Sequence, residues 1–279
     1  MPNVAIVTGA NQGLGLALVR NLCQTWGDQG IVYLTARDQQ RGEAAVRQLQ
    51  AEGLSPQFHV LDVTDDKSIT AFAEFIEQQH GGVDVVISNA AARISPSIPP
   101  AQQVAPFIDT NNHGTYRIIK AFMPLLNDGA RFLVVASSFG SLQHLPTPLH
   151  HKFTDSQLTL EAVEALMDEY AHLVQKGHAV QAGWPEWINI PSKIGQVAAM
   201  RVMARLLQDE AEQRDILINA VCPGLVDTAA SRPWFTDMSA AQSPDQAAVD
   251  VIWLATLPAG TKKPYGELIQ HRRVIPFKA

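Results

Sequence analysis

Short apolar runs alternate along this chain with longer segments whose apolar residues recur at spacings of three and four. Val4-Ala5-Ile6-Val7 has the length and continuity of a buried strand, and Leu14, Leu18 and Leu22 then fall on one face of a helix. Ile31-Val32-Tyr33-Leu34 predicts a second strand, followed by a helix from about Asp38, a suitable N-cap, to a stop at Gly53. Phe58-His59-Val60-Leu61 predicts the third strand. Its helix carries Ile69, Phe72, Phe75 and Ile76 and ends at Gly81-Gly82. Val83 to Ile87, Phe132 to Val135 and Ile216 to Val221 extend the strand series, with a helix through Ile118, Phe122 and Leu125 between the first two and a last strand near Leu268-Ile269. Uniformly apolar strands separated by amphipathic helices predict an α/β fold: a Rossmann-type, doubly wound parallel sheet with helices on both faces.

One stretch breaks the rhythm. From about Gly140 to Trp187 the only periodic piece is Leu160, Val163, Leu166 and Tyr170, which reads as one helix packed back on the core. This is a helical insertion within a single domain spanning residues 1–279.

Composition narrows the partners. With 46% hydrophobic and 17% charged residues and a net charge of -6, the chain is an ordinary globular protein with no basic run for nucleic acid. No apolar run approaches the ~20 residues of a membrane span, and the start of the chain lacks the pattern of a signal peptide. Cys23 and Cys222 stand far apart in apolar contexts and read as buried thiols. A soluble cytoplasmic protein with a small-molecule substrate, and no membrane or nucleic-acid partner, is expected. No histidine or carboxylate pattern has metal-ligand spacing, so no metal is expected.

Thr8-Gly9-Ala10-Asn11-Gln12-Gly13-Leu14-Gly15 joins the first strand to the first helix. The glycines allow a tight turn and close backbone approach. The helix N-terminus then offers unpaired N–H groups to a pyrophosphate, so Gly9, Asn11, Gln12, Gly13, Leu14 and Gly15 are expected to bind a dinucleotide. At the end of the second strand an acid would accept from the ribose 2′-OH of NAD. Here Ala36-Arg37 stands instead, with Arg41 a turn later, and guanidinium groups suit the 2′-phosphate of NADP.

The Thr-Gly-x-x-x-Gly-x-Gly spacing resembles the short-chain dehydrogenase/reductase family. Thr35-Ala36-Arg37-Asp38, the run from Gln48 to Pro56, Gly183-Trp184-Pro185 and the long insertion are most similar to its monomeric, NADPH-dependent carbonyl reductases. The resemblance covers nearly the whole chain. It implies adenine contact by Asp62 and its neighbour Val63, and a cofactor-lining Asn89 in Ser88-Asn89-Ala90-Ala91, where the first Asn and final Gly of the family motif are changed. It implies nicotinamide contact by the segment Pro223-Gly224-Leu225-Val226-Asp227-Thr228. It also makes Asn111, Ser138 and Lys193 catalytic, with Lys193 binding the nicotinamide ribose, and implies a monomer whose insertion covers the usual dimer face.

The family's catalytic tyrosine should stand four residues before Lys193, and that position is Asn189. A phenol beside an ammonium protonates the forming alkoxide; an amide cannot release a proton near neutral pH. Asn189 is also a favoured N-cap residue, with Pro191 suited to a first helical turn. Ser138 as a relay, or His144, His150 or His151, could take over the proton transfer. A protonated imine already carries its proton and needs no phenol, and Trp184 or Trp187 could stabilise its charge. The expected function is NADPH-dependent reduction of a C=O or C=N bond. The alternative is a catalytically silent NADP-binding protein that acts through partners.

Overall fold

The strands alternate between two cores with the period of two that a pleated strand requires. The computed structural model describes residues 2–278. Val4 and Ile6 of β1 (Asn3–Val7) face one core, and Ala5 and Val7 face the other. The remaining strands are β2 (Gly30–Ala36), β3 (Gln57–Val60), β4 (Val83–Ser88), β5 (Leu126–Val135), β6 (Leu217–Val221), β7 (Leu268–Gln270) and β8 (Arg273–Ile275). Their spatial order is β3-β2-β1-β4-β5-β6-β7-β8, parallel as far as β7.

The sheet is parallel as expected except at its last edge, where β8 runs antiparallel to β7. The chain reverses through His271 and Arg272, with φ of 49° and 60°. Two consecutive left-handed residues make a tight hairpin, and without an Asn-Gly pair the turn leaves no sequence signal.

Helices α1 (Gly13–Trp26) and α2 (Gln39–Ala51) lie on one face of the sheet, joined there by α10 (Pro244–Ala255). On the other face lie α3 (Asp66–His80), α4 (Pro100–Ile108), α5 (Gly114–Phe122), α7 (Leu160–Gln175) and α8 (Asn189–Leu206). Two short helices complete the set: α6 (His151–Thr154) and α9 (Gln208–Arg214). The starts of α2 and α3 are fixed as local chemistry predicts, Asp38 accepting from the Arg41 N–H and Asp65 from the Lys67 N–H.

The insertion contains α6, α7 and two short 3₁₀ turns, and no strand. Leu160, Val163, Leu166, Met167, Tyr170, Ala171 and Val174 form the buried stripe of α7, which packs on α4 and α8. His113 ties the same helix down, with Nε2 2.8 Å from Asp168 and Nδ1 3.3 Å from Glu164. Trp184 is sealed beneath the insertion against Phe153 and Tyr170, so it is a packing residue. No helix among the described residues is long and apolar enough to cross a membrane.

Candidate active site

The chain leaves β1 and crosses outward through β2 to β3, then returns to lay β4 on the other side of β1. The carboxyl ends of β1 and β4 therefore diverge and leave a crevice, the place where an open α/β sheet binds ligands. Thr8 holds the two edges together: its hydroxyl accepts from the N–H groups of Asn89 and Ala90, both at 2.9 Å.

Two cavities fill the crevice and share Ala91, Ala92 and Arg93. The first, of about 500 Å³, is lined by Gly9, Asn11, Gln12, Arg37, Arg41, Asp62 and Val63. Here Gly9 has φ +63°, and an added Cβ would lie 2.8 Å from the Ala90 Cα, so only glycine lets the turn run this close to β4. Gln12 gives α1 no side-chain cap and no acid stands in its first turn, so the first N–H groups are uncommitted. Arg37 is exposed and has no carboxylate within ion-pair distance among the described residues; Arg41 is loosely paired to Asp38 at 3.9 Å. One Asp62 oxygen accepts from both the backbone N–H and the hydroxyl of Thr64. An uncapped helix terminus beside two guanidinium groups fits a dinucleotide carrying an extra phosphate.

The second cavity, of about 410 Å³, is lined by Leu14, Asn111, Ser138, Asn189, Lys193, Gly224, Val226 and Thr228, all expected from the sequence. Gly13, Gly15, Asn89 and Pro223 line neither cavity. Asn89 braces the glycine turn, its amide donating to the Thr8 and Gly9 carbonyls at 2.9 and 3.3 Å. A Cβ on Gly15 would meet that amide at 2.7 Å, so Gly15 keeps room for the brace.

Asn111 sits in a π-helical turn, Asp109–His113, between α4 and α5. Its side-chain oxygen accepts from the Ala92 N–H at 2.8 Å, tying the turn to the loop after β4. Ser138 opens a 3₁₀ turn after β5, with its hydroxyl and N–H against the Cys222 thiol. Burial pushes that thiol up. Cys222 is buried as expected, whereas Cys23 is only partly so; both are unpaired.

Asn189 is not an N-cap. Ile188 occupies that position with helical φ and ψ, and no side chain caps α8. The chain is already coiled when it arrives: the Ile190 N–H bonds the Trp187 carbonyl at 3.1 Å. Asn189 is thus within the helix, and Pro191 takes a first-turn position where its missing N–H is not needed.

Lys193 donates to Gln196 Oε1 at 2.8 Å and approaches the Val135 carbonyl at 3.3 Å. Burial pushes its ammonium down to about 8, with the nearby Cys222 acting weakly the other way. The three histidines do not reach the cavity. His144 lies against Phe139 at 5.1 Å between ring centroids, His150 bonds the Leu145 carbonyl, and His151 is exposed.

The sequence reading missed part of the wall. Phe139 and Trp234 both pack on Trp187, T-shaped at 5.1 Å and tilted at 5.5 Å between centroids, and Phe235 lines the same cavity. Arg93 follows β4, and no carboxylate lines this second cavity. These residues sit on loops with no periodicity, and only their convergence marks them. Among the described residues no cluster of His, Cys, Asp or Glu is arranged to hold a metal.

The family described as short chain dehydrogenase matches residues 3–148. Carbonyl reductase (NADPH) 1 of Rattus norvegicus is 38% identical over 278 residues, covering 98% of both chains. The Homo sapiens protein of that name is 38% identical over 276 residues, covering 98% of this chain and 97% of its own. Among solved structures, salutaridine reductase from Papaver somniferum superposes with a TM-score of 0.82 at 24% identity, covering 95% of this chain and 99% of that one. A metagenomic short-chain oxidoreductase in complex with NADP does so with a TM-score of 0.62 at 24% identity, covering 93% of each. At that identity the structures speak for the fold, but the family profile spans more than half of the sequence and the curated relatives nearly all of it. The chain belongs to the short chain dehydrogenase family.

Proposed function

We propose that the protein is an NADPH-dependent reductase that transfers hydride to a C=O or C=N bond of a small organic substrate. The observation that carries this is the convergence of Ser138, Asn189 and Lys193 on one cavity that opens into the crevice lined by Gly9, Arg37, Arg41 and Asp62. The cofactor reading is supported by the two guanidinium groups and by relatives named for NADPH. When bound, NADPH supplies the hydride.

The protein's own residues must position the acceptor and manage a proton. Asn189 offers a hydrogen bond but no acid. Ser138, against Cys222, can orient a carbonyl oxygen or pass a proton. Lys193, held near 8, is the group that can release a proton close to neutrality. For a ketone, the ammonium protonates the alkoxide directly or through Ser138 and is recharged from solvent. A protonated imine needs neither step. Its charge would meet the faces of Trp187, Trp234 and Phe139 rather than a carboxylate.

The whole chain acts as one reductase domain in this reading. The packing of α7 over α4 and α8 supports a monomer, and the two unpaired thiols suit the cytoplasm. The test is an NADPH-oxidation screen of cyclic imines, ketones, quinones and aldehydes across pH. Turnover of any class supports the reductase. The missing phenol favours a second reading, a silent NADP-binding protein; tight NADPH binding with no turnover of any class would establish it instead.

A further inference from the structure

Gln196 has no part in the chemistry above, yet its side chain is sealed in the core at 2% exposure, one helical turn beyond Lys193. A buried primary amide is costly unless both its ends are bonded. Both are. Its oxygen accepts from Lys193 Nζ at 2.8 Å, and its nitrogen donates to Thr115 Oγ1 at 3.0 Å. Thr115, equally buried, donates its own hydroxyl to the Asn111 carbonyl at 2.7 Å. An unbroken series of side-chain hydrogen bonds therefore runs from the cavity ammonium to the π-helical turn.

The direction of each bond is determined. The Thr115 hydrogen is committed to Asn111, so its oxygen accepts from the Gln196 nitrogen. That leaves the Gln196 oxygen facing Lys193. The flipped amide would set an NH₂ against an NH₃⁺, donor against donor. An ammonium has three N–H groups. One goes to Gln196 and one points toward Val135, leaving one for the cavity that Ser138 and Asn189 line.

We propose that Gln196 is a positioning residue: braced by Thr115, its carbonyl holds Lys193 charged and turns one ammonium N–H into the reaction cavity, where the family's phenol is missing. The inference rests on that cavity being the reductase site. Among the described residues no carboxylate lines the cavity beside Lys193 to take over this role. Cys222 at the end of β6 is a thiol pushed up by burial. Arg93, across the cavity, is a cation. His113 of the π-helical turn is held through Nε2 by Asp168 of α7. β5 contributes the Val135 carbonyl, the turn after it the Ser138 hydroxyl, and α5 Thr115 itself.

The test reads Lys193 without turnover. Folded protein is pulse-labelled with acetic anhydride across pH, and the Lys193 peptide is quantified by mass spectrometry. Gln196→Leu removes the acceptor and should lower the midpoint of reactivity by about one pH unit. Gln196→Glu puts a carboxylate at the same distance and should raise it by about one unit or more. Thr115→Val frees the amide to rotate and should lower it by less than Gln196→Leu does. NADPH binding, followed by fluorescence near neutral pH, should weaken with Gln196→Leu and recover with Gln196→Glu. Should Gln196→Leu fail to fold, Gln196→Glu and Thr115→Val carry the test. Midpoints equal to that of the unmodified protein overturn the proposal, even if turnover is normal. Shifted midpoints in a protein that reduces nothing would sustain the brace and remove the reductase.

Discussion

Asn189 occupies the first turn of α8 with its amide uncommitted to the helix backbone, and it lines the same cavity as Lys193. Two predictions belong to this pair. Asn189→Tyr should raise ketone reduction by about 10²-fold or more, the usual worth of a general acid, and raise imine reduction far less. Steady-state rates on matched ketone and cyclic imine substrates check this; equal gains on both would count against a proton-limited carbonyl step. The second concerns pH. Burial lowers the Lys193 ammonium to about 8, so the acid is intact below that value and lost above it. Ketone turnover should be flat below pH 8 and fall roughly tenfold per unit above it, since the rate follows the protonated fraction. A third concerns Arg37. NADPH should bind at least about tenfold tighter than NADH, and Arg37→Asp should flatten or reverse the preference, because a carboxylate repels a 2′-phosphate and accepts from a 2′-OH. Dissociation constants from fluorescence titration decide it.

At the scale of elements, the contact of α7 with α8 depends on one missing side chain. A Cβ on Gly195 would lie 2.5 Å from Met167 Sδ and 2.6 Å from the Asn112 amide. That amide is itself bonded to the Ser192 carbonyl at 2.8 Å. Gly195→Ala should therefore destabilise the fold by about 1–3 kcal/mol through overpacking, despite its better helix propensity. Met167→Ala, at a fully buried position, should cost about 2–5 kcal/mol by leaving a cavity. Urea unfolding of both variants tests whether the insertion helix is part of the cooperative core. Both predictions would fail if α7 unfolded separately from the sheet.

For the whole molecule, the insertion lays α7 across α4 and α8, and the antiparallel hairpin of β7 and β8 closes one edge of the sheet. A helix face already covered cannot pair with a second copy, so light scattering should give a single-chain mass near 30.4 kDa at micromolar concentration. A dimer that persisted on dilution would mean that another face, such as α10, makes the contact.

The sequence by itself determined what depends on neighbours along the chain. Continuous apolar runs had to be strands buried on both faces, Asp38 had to cap α2, and the glycine turn before α1 had to leave helix N–H groups open. The resemblance in motif order carried Asn111, Ser138 and Lys193 to one site. Only the tertiary structure decided what depends on approach between distant segments. It made Asn89 a brace on the glycine turn and kept the histidines of the insertion away from the cavity. It set Asn189 inside its helix, because Trp187 and Ile188 had already coiled the chain. Aromatic loop residues without periodicity, Phe139, Trp187 and Trp234, became one wall. Gln196 and Thr115, 81 positions apart, became the brace behind Lys193. The physical reason is the same in each case: a hydrogen bond or ring contact between segments is fixed by the fold's geometry, while local pattern records only which residues are buried and how each element begins and ends.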